Sequence, residues 1–386
     1  MKVVNVYHNL NPEHGGPART IPKLCRNLAA QSCSCSILTL KLDLNGCSDL
    51  AEGVNIIQRD TLWSALIALK SLICSQGQTV DIIHLNVAWV PLSWLCFKIA
   101  KYYKVKIIVS PRGSLDPWSL KYNLIKRIKK KTAWFIYARR IYEGASCIHV
   151  TSDDEMKYVR GLNLKVPICI VPNGIDVEEF SKVPDKRIIN EIFSTVSEKR
   201  ILLFMSRIHP KKGLINLAYS WKHIASKFPN WCLIIAGPDE QGHLAEVKAT
   251  IGETDRVHFF GQVLGEKRIA LYHAAELFAL PTFDENFGLV VAEALAAGVP
   301  VITTKGAPWQ ELEKNKCGWW IDIGSEPLEA TLKKALSLKS DKLAAMGRRG
   351  QDLVAKKYTW SQIATDMMSV YNWLLGKNPC PSCVKK

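Results

Sequence analysis

LFALPTFDENFGLVVAEALAAGVPVITT, residues 277–304, reads as strand, polar turn, apolar helix and second strand. Short continuous Val/Ile/Leu runs alternating with helices mark parallel strands covered on both faces. Within the stretch, Gly288 to Ala297 reads as a helix in which Glu293 is the one residue that is not Gly, Ala, Val or Leu. A helix apolar all round is buried. A carboxylate buried without partners costs several kcal/mol or takes up a proton, so Glu293 calls for an unusual partner.

The same rhythm extends in both directions. VVNVYH, CSILTL, DIIHLN, KIIVS, CIHVTS and ICIVPNG punctuate the first part; RILLFMSR, CLIIAG, VHFFGQV, LFALPT and PVITT the second. Both parts are expected to be α/β and doubly wound. The 386 residues exceed one ordinary core and suit two domains. The seam is placed at VPNGIDVEEF, giving domains 1–172 and 173–358, a helix over 361–375 and a disordered tail over 376–386. Two open parallel sheets present their strand C-termini as ligand sites, and a cleft between the domains is the expected site.

Composition narrows the class. Hydrophobic content of 48% and charged content of 22% are those of a folded soluble protein. The start, MKVVNVYHNLNPEHGG, lacks a secretion pattern, and the window 88–100 is broken by Pro91, Ser93 and Lys98, so neither export nor a membrane span is expected. The 12 cysteines lie mostly inside apolar runs and are expected to be reduced core residues. Cys380 and Cys383 form a CxxC with no second pair for zinc. The net charge of +16 favours an anionic partner. KYNLIKRIKKKTAWFIYARR, 121–140, has eight Lys/Arg and no acid, and with Leu120 just before it, Leu124, Ile128, Phe135 and Ile136 recur at near-helical spacing. Two readings stand for this helix: a solvated face over a core contact, or attachment to an anionic bilayer.

Several chemistries lack their signatures: there is no GxGxxG, no GK[ST], no HExxH and no DxD to hold a metal on a diphosphate. What remains are turns suited to phosphate. Gly15 and Gly16 follow the first strand, where backbone N–H groups can approach an anion. Arg207 and Lys212 leave the first strand of the second domain beside a helix start near Gly213, a candidate diphosphate clamp. Glu285 lies in the turn after LFALPT, with backbone N–H groups at Asn286 to Gly288. Sugar hydroxyls can donate to a buried carboxylate without bringing a second charge.

Glu285 and Glu293, with seven residues between, resemble the Glu-x7-Glu signature of the retaining GT-B glycosyltransferases, in particular glycosyltransferase family 4. VPNGID (171–176), SRIHPKKG (206–213), IIAGPDE (234–240), FFGQV (259–263) and LFALPT (277–282) resemble the family's motifs in the family's order, with HGG near the start. The resemblance implies a GT-B fold, two Rossmann-like domains facing across a cleft, and a last helix crossing back to the first domain. It implies that Glu293 binds the ribose of a UDP-, GDP- or ADP-sugar. Glu285, with the backbone at Asn286, Phe287, Gly288 and Leu289, would hold the transferred sugar. Arg207 and Lys212 would take the diphosphate, Gly16 would close on the phosphates, and the backbone at Val263 would meet the base.

On this reading no cofactor and no metal is expected, and no protein nucleophile is needed. The chain departs from many relatives at SPRGSLDPW, where Arg112 stands in place of a histidine near the sugar. Arg112 is a candidate contact for the donor phosphate or an anionic acceptor. His84 and His149 are read as hydrogen-bonded core histidines. The expected acceptor is a saccharide, or a lipid-linked saccharide of surface polysaccharide assembly at the inner face of a bacterial plasma membrane. Rival readings are a nucleotide-sugar epimerase of GT-B architecture, a two-domain solute-binding protein and a nucleic-acid binder. The last lacks any DNA or RNA motif, and no nucleic-acid partner is expected.

Overall fold

The structure, a computed structural model, describes residues 1–386 except 12–14, 43–52, 75–78, 116–123, 197, 198, 240 and 255, and excludes the side chains of 124–127 and 129. His14, Glu240, Leu120 and the residues 121–123 of the basic segment therefore lie outside it. The chain forms two units, Met1–Gly174 with Trp360–Lys386, and Ile175–Thr359.

In the first unit, β1 (Lys2–Val6), β2 (Ser34–Thr39), β3 (Asn55–Gln58), β4 (Ile82–Asn86), β5 (Lys106–Ser110), β6 (Cys147–Val150) and β7 (Ile168–Ile170) are parallel, in the order β7-β6-β5-β4-β1-β2-β3. The central strands β1 and β4 have almost no exposed residues, as sheets covered on both faces require. Their helices bury Val4, Leu85, Val109 and Ile148 on one face and Val3, Ile82, Ile108 and Cys147 on the other. The second face is completed by helix Trp360–Leu374, which seats Ile363, Met367 and Tyr371 against helix Gly16–Ala30.

The second unit carries β8 (Arg200–Met205), β9 (Trp231–Ala236), β10 (Val257–Gly261), β11 (Leu277–Leu280), β12 (Val301–Thr304) and β13 (Gly318–Ile321), all parallel, in the order β10-β9-β8-β11-β12-β13. In their own numbering the second sheet thus runs 3-2-1-4-5-6 and the parallel strands of the first 3-2-1-4-5-6-7. The order reverses between β1 and β4 and between β8 and β11, and ligands of such sheets bind at that switch point, beyond the strand C-termini.

Two expectations are corrected. The tail expected to be disordered is ordered: β14 (Val384–Lys385) pairs antiparallel with β7, Val384 opposite Cys169, and Ile170 N–H donates to Cys383 O at 2.9 Å. It covers an edge strand that would otherwise expose unpaired backbone groups. In the basic segment, Ile128, Phe135 and Ile136 face solvent, whereas Trp134, Tyr137, Ala138, Ile141 and Tyr142 face inward. A π-helical turn at Trp134–Ala138 shifts the helical phase there, so the 3.6-residue stripe read from sequence is not the buried one.

Eleven described cysteines are free thiols. Burial pushes those of Cys96 and Cys232 up to about 12, so they behave as small apolar core residues.

Candidate functional site

The switch point of the second unit is flanked by the segments after β8 and after β11. Beyond β8 the chain passes Arg207, which is exposed, and tightens into a 3-10 turn at Pro210–Lys212 before helix Leu214–Ile224. His209 caps this turn, its Nδ1 accepting the Lys211 N–H at 3.0 Å. An accepting ring nitrogen requires neutral imidazole. Burial and the nearby Arg207 and Lys212 charges lower the His209 pKa, which keeps the ring neutral.

The two segments are tied to each other. Phe283 N–H and Thr282 Oγ1–H both donate to Lys211 O, at 2.8 and 3.0 Å. Gly213, at φ +67°, lies so close that a Cβ there would stand 1.9 Å from Pro281 O. Only glycine fits both the conformation and the space. Lys211 pairs with Asp284 at 2.5 Å and Lys212 with Glu285. Lys212 and Asp284 are buried, and Glu285 N–H donates to Gly306 O at 2.7 Å.

Beyond Glu285, Gly288 adopts φ +81° and starts helix Leu289–Ala296. Phe287 is fixed by its ring against Trp309 and Tyr358 and by Trp309 Nε1–H donating to Phe287 O at 2.6 Å. The structure therefore brings Lys212, Glu285 and the helix start at Asn286–Leu289 to one switch point. Val263 follows β10, half-buried.

Glu293 has partners inside the protein. Arg268 forms an ion pair with its Oε1, and Tyr272 O–H donates to its Oε2 at 2.8 Å. Burial works against the Arg268 charge, the Glu293 carboxylate more than offsets it, and the Arg268 pKa is raised. Burial and then Glu293 push Tyr272 up, so its hydroxyl stays a donor. Arg268 also lies over the Phe180 ring, 5.1 Å from its centre. Arg268 and Tyr272 were missed at the sequence level. The available signal was their i,i+4 spacing in RIALY, which puts both on one helix face.

In the first unit, Gly16 starts helix Gly16–Ala30, with Gly15 at φ +98° before it. Arg112 follows β5 and bonds Asn86 and Asn173. His84 and His149 belong to a buried chain. Tyr371 O–H meets His84 Nδ1 at 2.9 Å, His84 Nε2 meets Ser110 Oγ at 2.7 Å, Ser110 Oγ meets His149 Nδ1 at 2.8 Å, and His149 Nε2 meets Val171 O at 2.8 Å. A carbonyl can only accept, so His149 Nε2 donates to Val171 O; with both rings neutral, every proton in the chain then runs from Tyr371 toward Val171. Burial lowers both pKa values, that of His149 to about 3. Among the described residues, no group of three or more His, Cys, Asp or Glu is placed to hold a metal ion.

Residues 185–353 match the family model described as Glycosyl transferases group 1, and residues 15–174 match the Glycosyl transferase 4-like domain. The chain belongs to the glycosyltransferases. Its fold is GT-B. Among curated relatives, a GDP-mannose-dependent alpha-(1-6)-phosphatidylinositol monomannoside mannosyltransferase of Mycobacterium tuberculosis is 27% identical over 240 residues, 59% of this chain and 62% of that one. A lipopolysaccharide core biosynthesis mannosyltransferase of Rhizobium meliloti is 29% identical over 223 residues, 55% of this chain and 62% of the other. The matches span 45% to 62% of the length of such relatives. Among solved structures, Anabaena Alr3699/HepE in complex with UDP-glucose aligns with a TM-score of 0.73 at 16% identity, over 97% of this chain and 100% of that one.

Proposed function

We propose that this glycosyltransferase moves a sugar from a nucleoside-diphosphate-sugar to an acceptor hydroxyl with retention of anomeric configuration and without a metal. The observation that carries the reading is the Lys212–Glu285 pair at the switch point of the second unit. As the bond from the sugar's anomeric carbon to the phosphate oxygen breaks, negative charge grows on the leaving diphosphate and positive charge on the ring. Lys212 and Arg207 supply fixed cations for the first, the role often given to a metal. Glu285 supplies a carboxylate beside the second. When the diphosphate shares Lys212, the Glu285 charge is less neutralised and acts more strongly on the ring. The acceptor oxygen bonds to the anomeric carbon on the face the diphosphate leaves, and its proton passes to a diphosphate oxygen.

Glu293 binds the ribose. Each of its oxygens has one protein partner, which leaves a lone pair on each for a ribose hydroxyl. Gly16 approaches the phosphates with backbone N–H, and the backbone at Val263 contacts the base. A product from an α-linked donor, read by proton NMR of the new anomeric centre, is expected to be α; a β product would overturn retention.

The acceptor is a lipid-linked saccharide, and the chain works on the inner face of a bacterial plasma membrane. Two observations support this. The relatives just described are named for a phosphatidylinositol mannoside and for lipopolysaccharide core. Helix Leu124–Ala133 and its continuation expose Ile128, Phe135 and Ile136 together with Lys131, Arg139 and Arg140, a pairing suited to an anionic lipid surface. Among the described residues, no helix is long and apolar enough to cross a membrane. Flotation with anionic vesicles is expected at low salt and to weaken at high salt; no flotation at low salt would end the membrane reading.

A further inference from the structure

Arg112 stands apart from the charged residues described above. Backbone conformation, hydrogen bonding and position in the sheet all mark it. It follows β5 at φ +55°, with Gly113 at φ +74° next. A non-glycine residue held left-handed is uncommon and persists only where its surroundings fix it. Here Glu155 does so: one carboxylate oxygen accepts Gly113 N–H at 2.7 Å, the other Thr151 N–H at 2.8 Å.

The guanidinium is held as firmly. Nε and Nη2 donate to Asn86 Oδ1 at 3.1 and 2.9 Å, and Nη1 donates to Asn173 Oδ1 at 3.1 Å. The Asn86 amide is itself oriented, since its Nδ2 donates to Asn5 Oδ1 at 3.2 Å. Asn5, Asn86, Arg112 and Asn173 thus link the ends of β1, β4 and β5 and the segment after β7.

These partners are neutral. No described carboxylate pairs with the guanidinium, because Glu155 is committed to backbone N–H groups. Among the described residues, three of the five guanidinium N–H donors are used, which leaves two. A cation taken partly out of water with no carboxylate bonded to it is costly, and planar guanidinium is suited to phosphate and carboxylate. Burial lowers the Arg112 pKa, with Glu155 only partly offsetting it. The residue stands at the C-terminal edge of the sheet, next to the β1/β4 switch point, where ligands of such sheets bind.

We propose that Arg112 is an anion-recognition residue of the first unit, whose guanidinium, preset by Asn86 and Asn173, takes a phosphate or carboxylate oxygen of a substrate. The anion belongs either to the nucleotide donor or to an acid-bearing acceptor. The inference deepens the transfer reading given above, yet its test is a binding measurement that holds whether or not transfer occurs.

The test compares the full chain with Arg112→Gln by calorimetry, using UDP, GDP and ADP for the donor source and a short prenyl diphosphate for the acceptor source. Loss of one charge-assisted contact is expected to weaken binding of at least one probe about tenfold or more, and the affected probe identifies the source. Affinities for all four probes within about twofold of the parent protein would overturn the proposal. A second measurement leaves the native chain intact: phenylglyoxal modification of Arg112, mapped by peptide mass spectrometry. Protection of Arg112 by one of the four probes supports the proposal, and equal modification with and without every probe contradicts it, also where Arg112→Gln does not fold.

Discussion

Replacing Glu293 by leucine removes a carboxylate of similar size from the helix Leu289–Ala296 and strands two groups. The first is Arg268, whose side chain keeps only 18% of its surface exposed. The second is the buried Tyr272 hydroxyl, whose other acceptor, Val290 O, is 3.5 Å away. Breaking one side of a buried pair costs about 3–5 kcal/mol, because the remaining charge is left uncompensated. Replacing both sides by apolar residues of similar volume is far milder. The double variant Arg268→Met, Glu293→Leu should therefore recover at least about 2 kcal/mol relative to Glu293→Leu alone. Urea titration gives the stabilities, and amide exchange of helix Gly265–Ala274 assigns the change to the second unit. Equal losses in the single and double variants, or a single-variant loss under about 0.5 kcal/mol, would refute the argument that Glu293 is held by this pair.

Three further outcomes are expected. Lys212→Ala should lower kcat by about ten- to a thousandfold, as removal of one transition-state donor does; unchanged turnover would remove Lys212 from the diphosphate site. Gly213→Ala should destabilise the second unit by more than about 1 kcal/mol, since a Cβ at φ +67° also meets Pro281 O at 1.9 Å; a stability equal to the parent would show that the loop can move aside. The third is a pH dependence. His84 and His149 have folded pKa values below their unfolded values, so the unfolded state binds more protons at acid pH. Their contribution is complete above about 6.5 and falls as pH drops toward the folded values, by up to about 1.4 kcal/mol per unit for each histidine. Urea titrations between pH 7 and pH 5 should show it; His149→Asn should reduce the slope, and an unchanged slope would contradict the neutral chain from Tyr371 to Val171.

Much of the fold was legible because parallel strands buried on both faces write themselves as unbroken Val/Ile/Leu runs. The exceptions are instructive. β3 is NIIQ, an edge strand with partly exposed residues, and β13 is GWWI, short and rich in tryptophan. Neither carries the signal of a doubly covered strand. β14 follows CPSC, where composition argues for a loose end, and its order comes from pairing with β7, a long-range contact that local sequence cannot express.

The candidate site divides in the same way. Arg207 and Lys212 stand out as cations beside a helix start, and Glu285 and Gly288 through the resemblance of their stretch to the Glu-x7-Glu signature. The partners of Glu293 did not stand out, because Arg268 and Tyr272 sit on another helix and read as an ordinary amphipathic surface. The Asn86–Arg112–Asn173 arrangement likewise joins residues far apart in the chain, which only the sheet brings together.

The central claim, transfer of a sugar from a nucleotide donor by the Lys212–Glu285 site, is tested most directly by nucleoside diphosphate release. UDP-, GDP- and ADP-sugars would each be incubated with the chain, with and without bacterial membrane lipid. The account predicts that lipid stimulates release from at least one donor and that Lys212→Ala suppresses it. Release from no donor in the presence of lipid, or equal release by Lys212→Ala, would contradict it.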